Sequence, residues 1–286
     1  MNPIISIVIT THNQERDIVR CLSSLAPADL TDIEVIVSDD CSTDGTEAAV
    51  SRFPFARFLK ADRWGHAGGA RNRGVLAARG KYVWLFDGDD EFITDNIAHL
   101  RDFARDSEAD VIAFLFRYRF IGGDERPRNP IPTVGIGPEY LPLVDVMPWC
   151  KLVKRENYVE AEERVHYQDT DWWFRQADAC ESLAVLNEEM LVWHLDNPGQ
   201  SNRALEYAGK NSRRDGKYGV APYSLGQWIV DSIPQKDGIN CHDLADIYAL
   251  VSRLWKVVLD AKKPEVRDAA KSLLLRVAGR SVCPWK

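Results

Sequence analysis

Long apolar runs are missing from this chain, and none approaches the roughly 18 residues that a membrane-spanning helix requires. A basic surplus is missing too. Lys and Arg number 36 against 43 Asp and Glu, a formal net charge of −7. A non-specific nucleic-acid binder needs the opposite sign along a stripe, so there is no strong nucleic-acid signal. The N-terminus, Met-Asn-Pro-Ile-Ile-Ser-Ile-Val, has neither a basic segment nor a cleavage site and predicts no secretion signal. Cys21, Cys41, Cys150, Cys180, Cys241 and Cys283 form no CxxC pair, which excludes a zinc knuckle and a redox couple. They read as reduced thiols. The expected location is cytoplasmic, with at most peripheral contact at the inner face of a membrane.

What is present is the balance of a globular enzyme, 45% apolar and 28% charged over 286 residues, enough for one large domain or two of moderate size. The first hundred residues alternate between two periodicities. Strands are predicted at Ile4 to Thr10, Ile33 to Val37, Ala56 to Lys60 and Tyr82 to Phe86. Helices are predicted over 15–26, 46–52 and from the glycine-rich turn at 65–69 through Ala78. This repetition argues for an α/β fold built on a mainly parallel sheet flanked by helices. Residues 122–148 hold six of the 14 Pro and four Gly, and read as loop. A helix is expected over 168–180 and strands over 183–195. Two apolar stripes of 3.6-residue period follow, Leu244 to Leu259 and Val266 to Val277, predicting a helical C-terminal region.

Carboxylates cluster where strands end. Thr10-Thr11-His12-Asn13 closes the first predicted strand, Asp39-Asp40 the second, and Asp87-Gly88-Asp89-Asp90 the strand at 82–86. Each alone reads as an ordinary solvated turn. Together they occupy the end of an open α/β sheet where ligands bind. Three carboxylates within four residues repel one another unless a cation intervenes, and their hard oxygens suit Mg²⁺ or Mn²⁺ carrying a diphosphate. Two familiar phosphate motifs are absent. Gly69 to Gly74 has the spacing of a Walker A loop, but Val75 stands where Lys is required, and no GxGxxG occurs. Arg71 and Arg73 near a helix start are suited to phosphate, or else Arg73 is a solvated helix residue.

Four segments now stand in order: Ile-Val-Ile-Thr-Thr-His-Asn, Val-Ser-Asp-Asp-Cys-Ser-Thr-Asp-Gly-Thr, Gly-Gly-Ala-Arg-Asn-Arg-Gly and Leu-Phe-Asp-Gly-Asp-Asp. Their sequence and spacing resemble a family 2 glycosyltransferase of the GT-A fold, strongly over residues 3–120 and more thinly to about 203. The resemblance implies a domain over 1–203, with a nucleotide-sugar donor half at 1–120 and an acceptor half at 121–203, followed by the helical region 204–286. It implies inverting transfer from a nucleotide sugar, most often a UDP-sugar. Donor contacts would come from Thr10, His12, Asn13, Asp39, Asp40, Arg71, Asn72, Asp87 and Gly88. His12 takes the place of a common Tyr beside the base. Asp87 and Asp89 would form the D-x-D metal motif for Mn²⁺ or Mg²⁺, with Asp90 as a further ligand or sugar contact.

Inverting transfer also needs a general base. Residues 165–175, Val-His-Tyr-Gln-Asp-Thr-Asp-Trp-Trp-Phe-Arg, resemble the family's Glu-Asp-x-x-aromatic motif, which maps the base onto Asp169, with Gln168 replacing Glu. Asp171 is the competing candidate. By itself the segment reads as a helix start capped by Asp169 or Thr170. His194 resembles a later family histidine that ligates the metal in some members; a lone His is otherwise structural. Trp149, Lys151, Asp171 and Trp172 fall near the implied acceptor site, where Trp149, Trp172 and Trp173 would stack on sugar rings or else pack in the core.

These readings imply a metal-dependent hexosyl- or N-acetylhexosaminyltransferase acting on a glycan or lipid-linked acceptor, in surface glycan or other glycoconjugate synthesis. The C-terminal stripes would pack on the catalytic domain or form a homodimer; their acidic residues disfavour membrane binding. Two other readings compete. A sugar nucleotidyltransferase would need a Gly-rich basic loop after the first strand, and Thr10 to Asn13 contains no Gly. A non-catalytic nucleotide-sugar-binding module would not need Asp40, Asp87, Asp89 and Asp169 together.

Overall fold

The computed structural model describes residues 2–62, 66–119, 123, 125–128, 147–161, 172, 173, 175–177 and 179–194. The chain divides into two units, Met1–Asn197 and Pro198–Lys286. The predicted C-terminal helices, Asp169 and Asp171 lie outside the described residues.

Among the described residues, nine strands form one sheet. In chain order they are β1 (Ile5–Thr11), β2 (Ile33–Asp39), β3 (Ala56–Lys60), β4 (Tyr82–Asp87), β5 (Glu91–Phe92), β6 (Val111–Arg119), β7 (Glu125–Arg128), β8 (Lys151–Lys154) and β9 (Leu183–His194). The helices are α1 (Glu15–Leu25), α2 (Thr46–Val50), α3 (His66–Ala77) and α4 (Ile97–Asp106). The sheet order is β3-β2-β1-β4-β8-β6-β9-β5, with β7 beside β6. β1 pairs parallel with β2 and β4, and β2 with β3. β8 runs antiparallel between β4 and β6, and β6 then pairs parallel with β9. The sheet is therefore mixed but parallel where the carboxylate turns emerge.

The strand pleat sorts side chains into two cores. Ile5, Ile7 and Ile9 of β1, Val35 and Val37 of β2, and Tyr82, Trp84 and Phe86 of β4 face one side. There α1 buries Ile18, Leu22 and Leu25, and α4 buries Ile97, Leu100 and Ala104. Val8, Ile36, Val83 and Leu85 face the other side, against Val75, Trp172 and Trp173. Two-residue alternation in the strands and 3.6-residue spacing in the helices make each set coherent. Each buried aliphatic or aromatic side chain contributes about 1.5–3 kcal/mol.

α3 lies close against β1. A Cβ at Gly74 would come within 2.2 Å of a Val8 methyl, so only glycine permits this approach. The predicted loop at 122–148 contains β7 within its described part. Residues 183–195, read as strands, form the single long strand β9 through His194.

Candidate active site

The parallel register brings the three carboxylate-bearing turns together. Thr10 of β1 is opposite Ser38 of β2 and Asp87 of β4, and Thr11 is opposite Asp39. Thr10 Oγ1 donates to Asp87 Oδ1 at 3.1 Å. From α3, Arg71 Nη2 donates to the same oxygen at 3.1 Å. Gly88 continues the turn with its N–H on the Thr10 carbonyl at 2.8 Å. A Cβ there would stand 2.8 Å from that same carbonyl oxygen, which accounts for the glycine.

A second group forms where β1 and β2 end. His12 Nδ1 lies 2.7 Å from the Asp40 carbonyl, and its Nε2 lies 3.1 Å from Asn13 Nδ2. The carbonyl can only accept, so Nδ1 carries the proton and Nε2 accepts from the Asn13 amide. Asp39 is fully buried and takes the Ser42 N–H at 2.9 Å and the Ser42 hydroxyl. Ser42 Oγ in turn accepts the Asn13 N–H at 2.8 Å, and Asn13 Oδ1 accepts the Thr43 N–H at 2.8 Å. Arg73 of α3 donates to the Asp39 carbonyl at 2.9 Å and lies 3.7 Å from Asp40 Oδ1. Asn13 and Cys41 both have positive φ, 51° and 67°, placing two non-glycine residues in the left-handed region at one strand-end cluster. Such backbone costs roughly 1–2 kcal/mol per residue and concentrates at functional sites.

A third group surrounds Asp90. Its carboxyl is pushed well above the usual carboxylate range by burial, then by Asp89 and Asp87. Oδ1 accepts the His194 N–H at 2.9 Å, while Oδ2 is buried with no hydrogen-bond partner. His194 Nε2 stands 3.0 Å from Glu91 Oε1. Hydrogen bonding from His194 is the largest cause holding the Glu91 carboxyl below its ordinary range. Among the described residues, no three His, Cys, Asp or Glu side chains converge on one point. A preformed cage is not required, because Mg²⁺ takes one or two carboxylates plus substrate phosphate oxygens. An orphaned buried carboxylate oxygen beside two more carboxylates fits a hard divalent cation.

Other expected site residues have different surroundings. Asn72 ties α3 to the chain near 158–161: Nδ2 donates to the Ala161 carbonyl, and Oδ1 accepts from Tyr158 Oη and Ala161 N. Trp149 is 1% exposed, packed between Phe116 and Trp193, and its carbonyl accepts from Trp84 Nε1. Trp172 is equally buried, beside Tyr158 and Trp173. Neither indole offers an open face to a sugar in this conformation; core packing is the role that their surroundings give them. Lys151 is buried too, with Nζ bonded to the Met147 carbonyl and 4.3 Å from the Trp173 ring centre. Glu91, on which Arg20, Arg119 and His194 converge, is not among the site residues that the sequence points to, nor are Arg20 and Arg119. Glu91 directly follows the acidic turn, a signal that was available; Arg20 looks like any solvated helix residue.

The model of the glycosyl transferase family 2 matches residues 6–180. An uncharacterized glycosyltransferase, YibD of Escherichia coli, is 28% identical over 71% of this chain and 66% of its own length. The succinoglycan biosynthesis protein ExoO of Rhizobium meliloti is 36% identical over 34% of this chain. The chain spans 29% of ExoO's length and 66% of YibD's, less than two thirds of either. Staphylococcus aureus TarS, crystallised with UDP-GlcNAc, superposes with a TM-score of 0.61 at 20% identity, covering 97% of this chain and 81% of that one. A mannosyltransferase from Pyrobaculum calidifontis, in complex with GDP-Man and Mn²⁺, gives 0.54 at 16% identity, covering 99% and 82%. The mixed α/β sheet is that of GT-A glycosyltransferase structures.

Proposed function

The chain belongs to glycosyl transferase family 2, and we propose that it is an inverting, metal-dependent transferase that moves a hexose or N-acetylhexosamine from a UDP-sugar to an acceptor hydroxyl. One observation carries this reading: β1, β2 and β4 end side by side and present Thr10, Asp39-Asp40 and Asp87-Gly88-Asp89-Asp90 together, with Arg71 against Asp87. The TarS complex with UDP-GlcNAc supports a uridine donor, and the mannosyltransferase complex supports a divalent cation.

In this reading His12, Asn13, Asp39 and Asp40 hold the nucleoside. Arg71 and the acidic turn face the diphosphate, and Asp87, Asp89 and Asp90 would hold Mn²⁺ or Mg²⁺, joined by His194. A divalent cation bound there would supply the charge that neutralises the departing diphosphate. Asp169 takes the proton of the acceptor hydroxyl as its oxygen bonds to the anomeric carbon and the carbon–oxygen bond to UDP breaks on the opposite side. Of the described residues flanking Asp169, Ala161 donates its N–H to Asn72 Oδ1 of α3 at 2.8 Å, and Trp172 packs in the core that includes Val75 of α3.

The relatives named as a succinoglycan biosynthesis protein and a poly(ribitol-phosphate) beta-N-acetylglucosaminyltransferase support a glycan or lipid-linked acceptor for a surface polymer. Among the described residues no helix is long and apolar enough to cross a membrane; a cytoplasmic enzyme, peripheral at the inner membrane face, is the matching proposal. The deciding test is release of nucleotide from UDP-, GDP- and dTDP-sugars with Mn²⁺, repeated with EDTA. UDP release that EDTA abolishes is the expected result. Nucleotide release that is indifferent to EDTA, or binding of a donor without any turnover on an acceptor panel, would overturn it.

A further inference from the structure

One carboxylate oxygen of Glu91 stands within 3.4 Å of side-chain nitrogens from three separate elements. Arg20 Nε of α1 lies 3.1 Å from Oε1, His194 Nε2 of β9 lies 3.0 Å from it, and Arg119 Nη1 of β6 donates to it at 3.4 Å. The partners also reach the acidic turn. Arg20 Nη2 donates to the Asp89 carbonyl at 2.5 Å, and the His194 backbone N–H donates to Asp90 Oδ1 at 2.9 Å. Arg119 Nη1 stands 3.5 Å from His194 Nε2. β5 itself pairs antiparallel with β9, placing Glu91 opposite Val192, two residues before His194. Neither Arg20 nor Arg119 needs Glu91 for charge balance alone, since Asp17 lies 3.1 Å from the first and Glu125 at 2.5 Å from the second.

We infer that Glu91 is a positioning residue of the transfer site, its carboxylate locking α1, β6 and β9 onto the Asp87–Asp90 turn so that Asp89, Asp90 and the His194 ring stand in place for the cation. The physical reason is general. A carboxylate on one imidazole nitrogen fixes the orientation and tautomer of the ring and raises the basicity of the other nitrogen. The Arg20 bond to the Asp89 carbonyl restrains the turn between two of its carboxylates. A partly exposed ion cluster adds little to stability, so the contribution of Glu91 falls on geometry rather than on folding.

The inference rests on the metal-dependent transferase reading, and its test separates the two. Mn²⁺ is titrated against the full chain in the presence of UDP, with free Mn²⁺ read by electron paramagnetic resonance, for wild type, Glu91→Gln and Arg119→Gln. Melting temperature and UDP-sugar kinetics are measured alongside. Wild type is expected to bind Mn²⁺ with UDP. Glu91→Gln is expected to weaken that binding by about tenfold to a hundredfold, and Arg119→Gln by less. Melting should hardly shift, and the loss of transfer should be largely recovered at high Mn²⁺. If wild type binds Mn²⁺–UDP and both variants bind it equally well, Glu91 has no positioning role while the transferase reading stands. A fall in melting temperature with unchanged Mn²⁺ affinity would make Glu91 merely structural and also overturn the inference. If wild type itself binds no Mn²⁺ with UDP, both readings fall.

Discussion

Arg71 and Asp87 meet at 3.1 Å, the guanidinium 3% exposed and the carboxylate 30%. The arginine arrives from α3 and the aspartate from the last position of β4, so the pair joins a helix to the strand end that carries the acidic turn. It holds a buried positive charge at the point where a diphosphate is proposed to lie.

Asp87→Asn keeps the shape of this contact and removes the charge opposing Arg71. We expect loss of metal-dependent UDP binding in calorimetry. The stability loss on denaturant titration should be smaller than the roughly 3–5 kcal/mol that follows when a fully buried pair is broken, because Asp87 is partly open to water.

Asp169→Asn removes the proposed base and leaves the donor contacts in place. Transfer is expected to fall by about 10²–10⁴-fold, with UDP affinity unchanged by calorimetry. Asp171→Asn should retain most activity. A reversed pattern between the two variants would move the base to Asp171.

Gly88→Ala places a methyl 2.8 Å from the Thr10 carbonyl oxygen, with Gln14 and Ile18 also within 3.2 Å. The backbone oxygen cannot swing away as a side chain would. The acidic turn must shift, with an expected stability cost of about 1–3 kcal/mol and a fall in transfer rate of about 100-fold. Thermal melts and initial rates with a saturating donor report the two effects separately.

Glu34 gives the fold a pH dependence at the opposite end of β2. Burial pushes its carboxyl up, but this is outweighed by bonds from Ser6 Oγ at 2.6 Å, Arg79 N at 2.5 Å and the Arg79 guanidinium, so its pKa lies below the ordinary value. A lowered acid stabilises the fold above the unfolded-state pKa, near 4.3, and loses that contribution as pH falls through the folded-state value. Glu34→Gln is expected to be less stable than wild type by about 1.5 kcal/mol at pH 7. The gap should close in acid, measured by urea denaturation at pH 7 and pH 3.

The donor half was legible because its signals are local. Ile4 to Thr10 is a run of mainly β-branched residues whose strand buries both faces, and Ile18, Leu22 and Leu25 share one helix stripe, so residue type and spacing separated β1 from α1. The acidic turns were legible for the same reason: Asp87-Gly88-Asp89-Asp90 is contiguous, and its place after a buried strand is written in the chain. α4 was not legible although Ile97, Leu100, Arg101 and Ala104 follow helical spacing, because no side-chain cap marks its start and its buried stripe includes an arginine. β6 was missed because its pairing partners, β8 and β9, lie far along the chain.

By itself, the sequence determined the strand–helix alternation, the ends at which polar residues collect and the family, since all of these depend on residue type and short spacing. Only the tertiary structure decided which of those ends are neighbours, that Trp149 and Trp172 fill the core, and that Arg20, Arg119 and His194 converge on Glu91. Such contacts join residues up to 104 positions apart, as the His194 N–H and Asp90 do. No local propensity encodes them; they arise when long-range strand pairing fixes the register between distant parts of the chain.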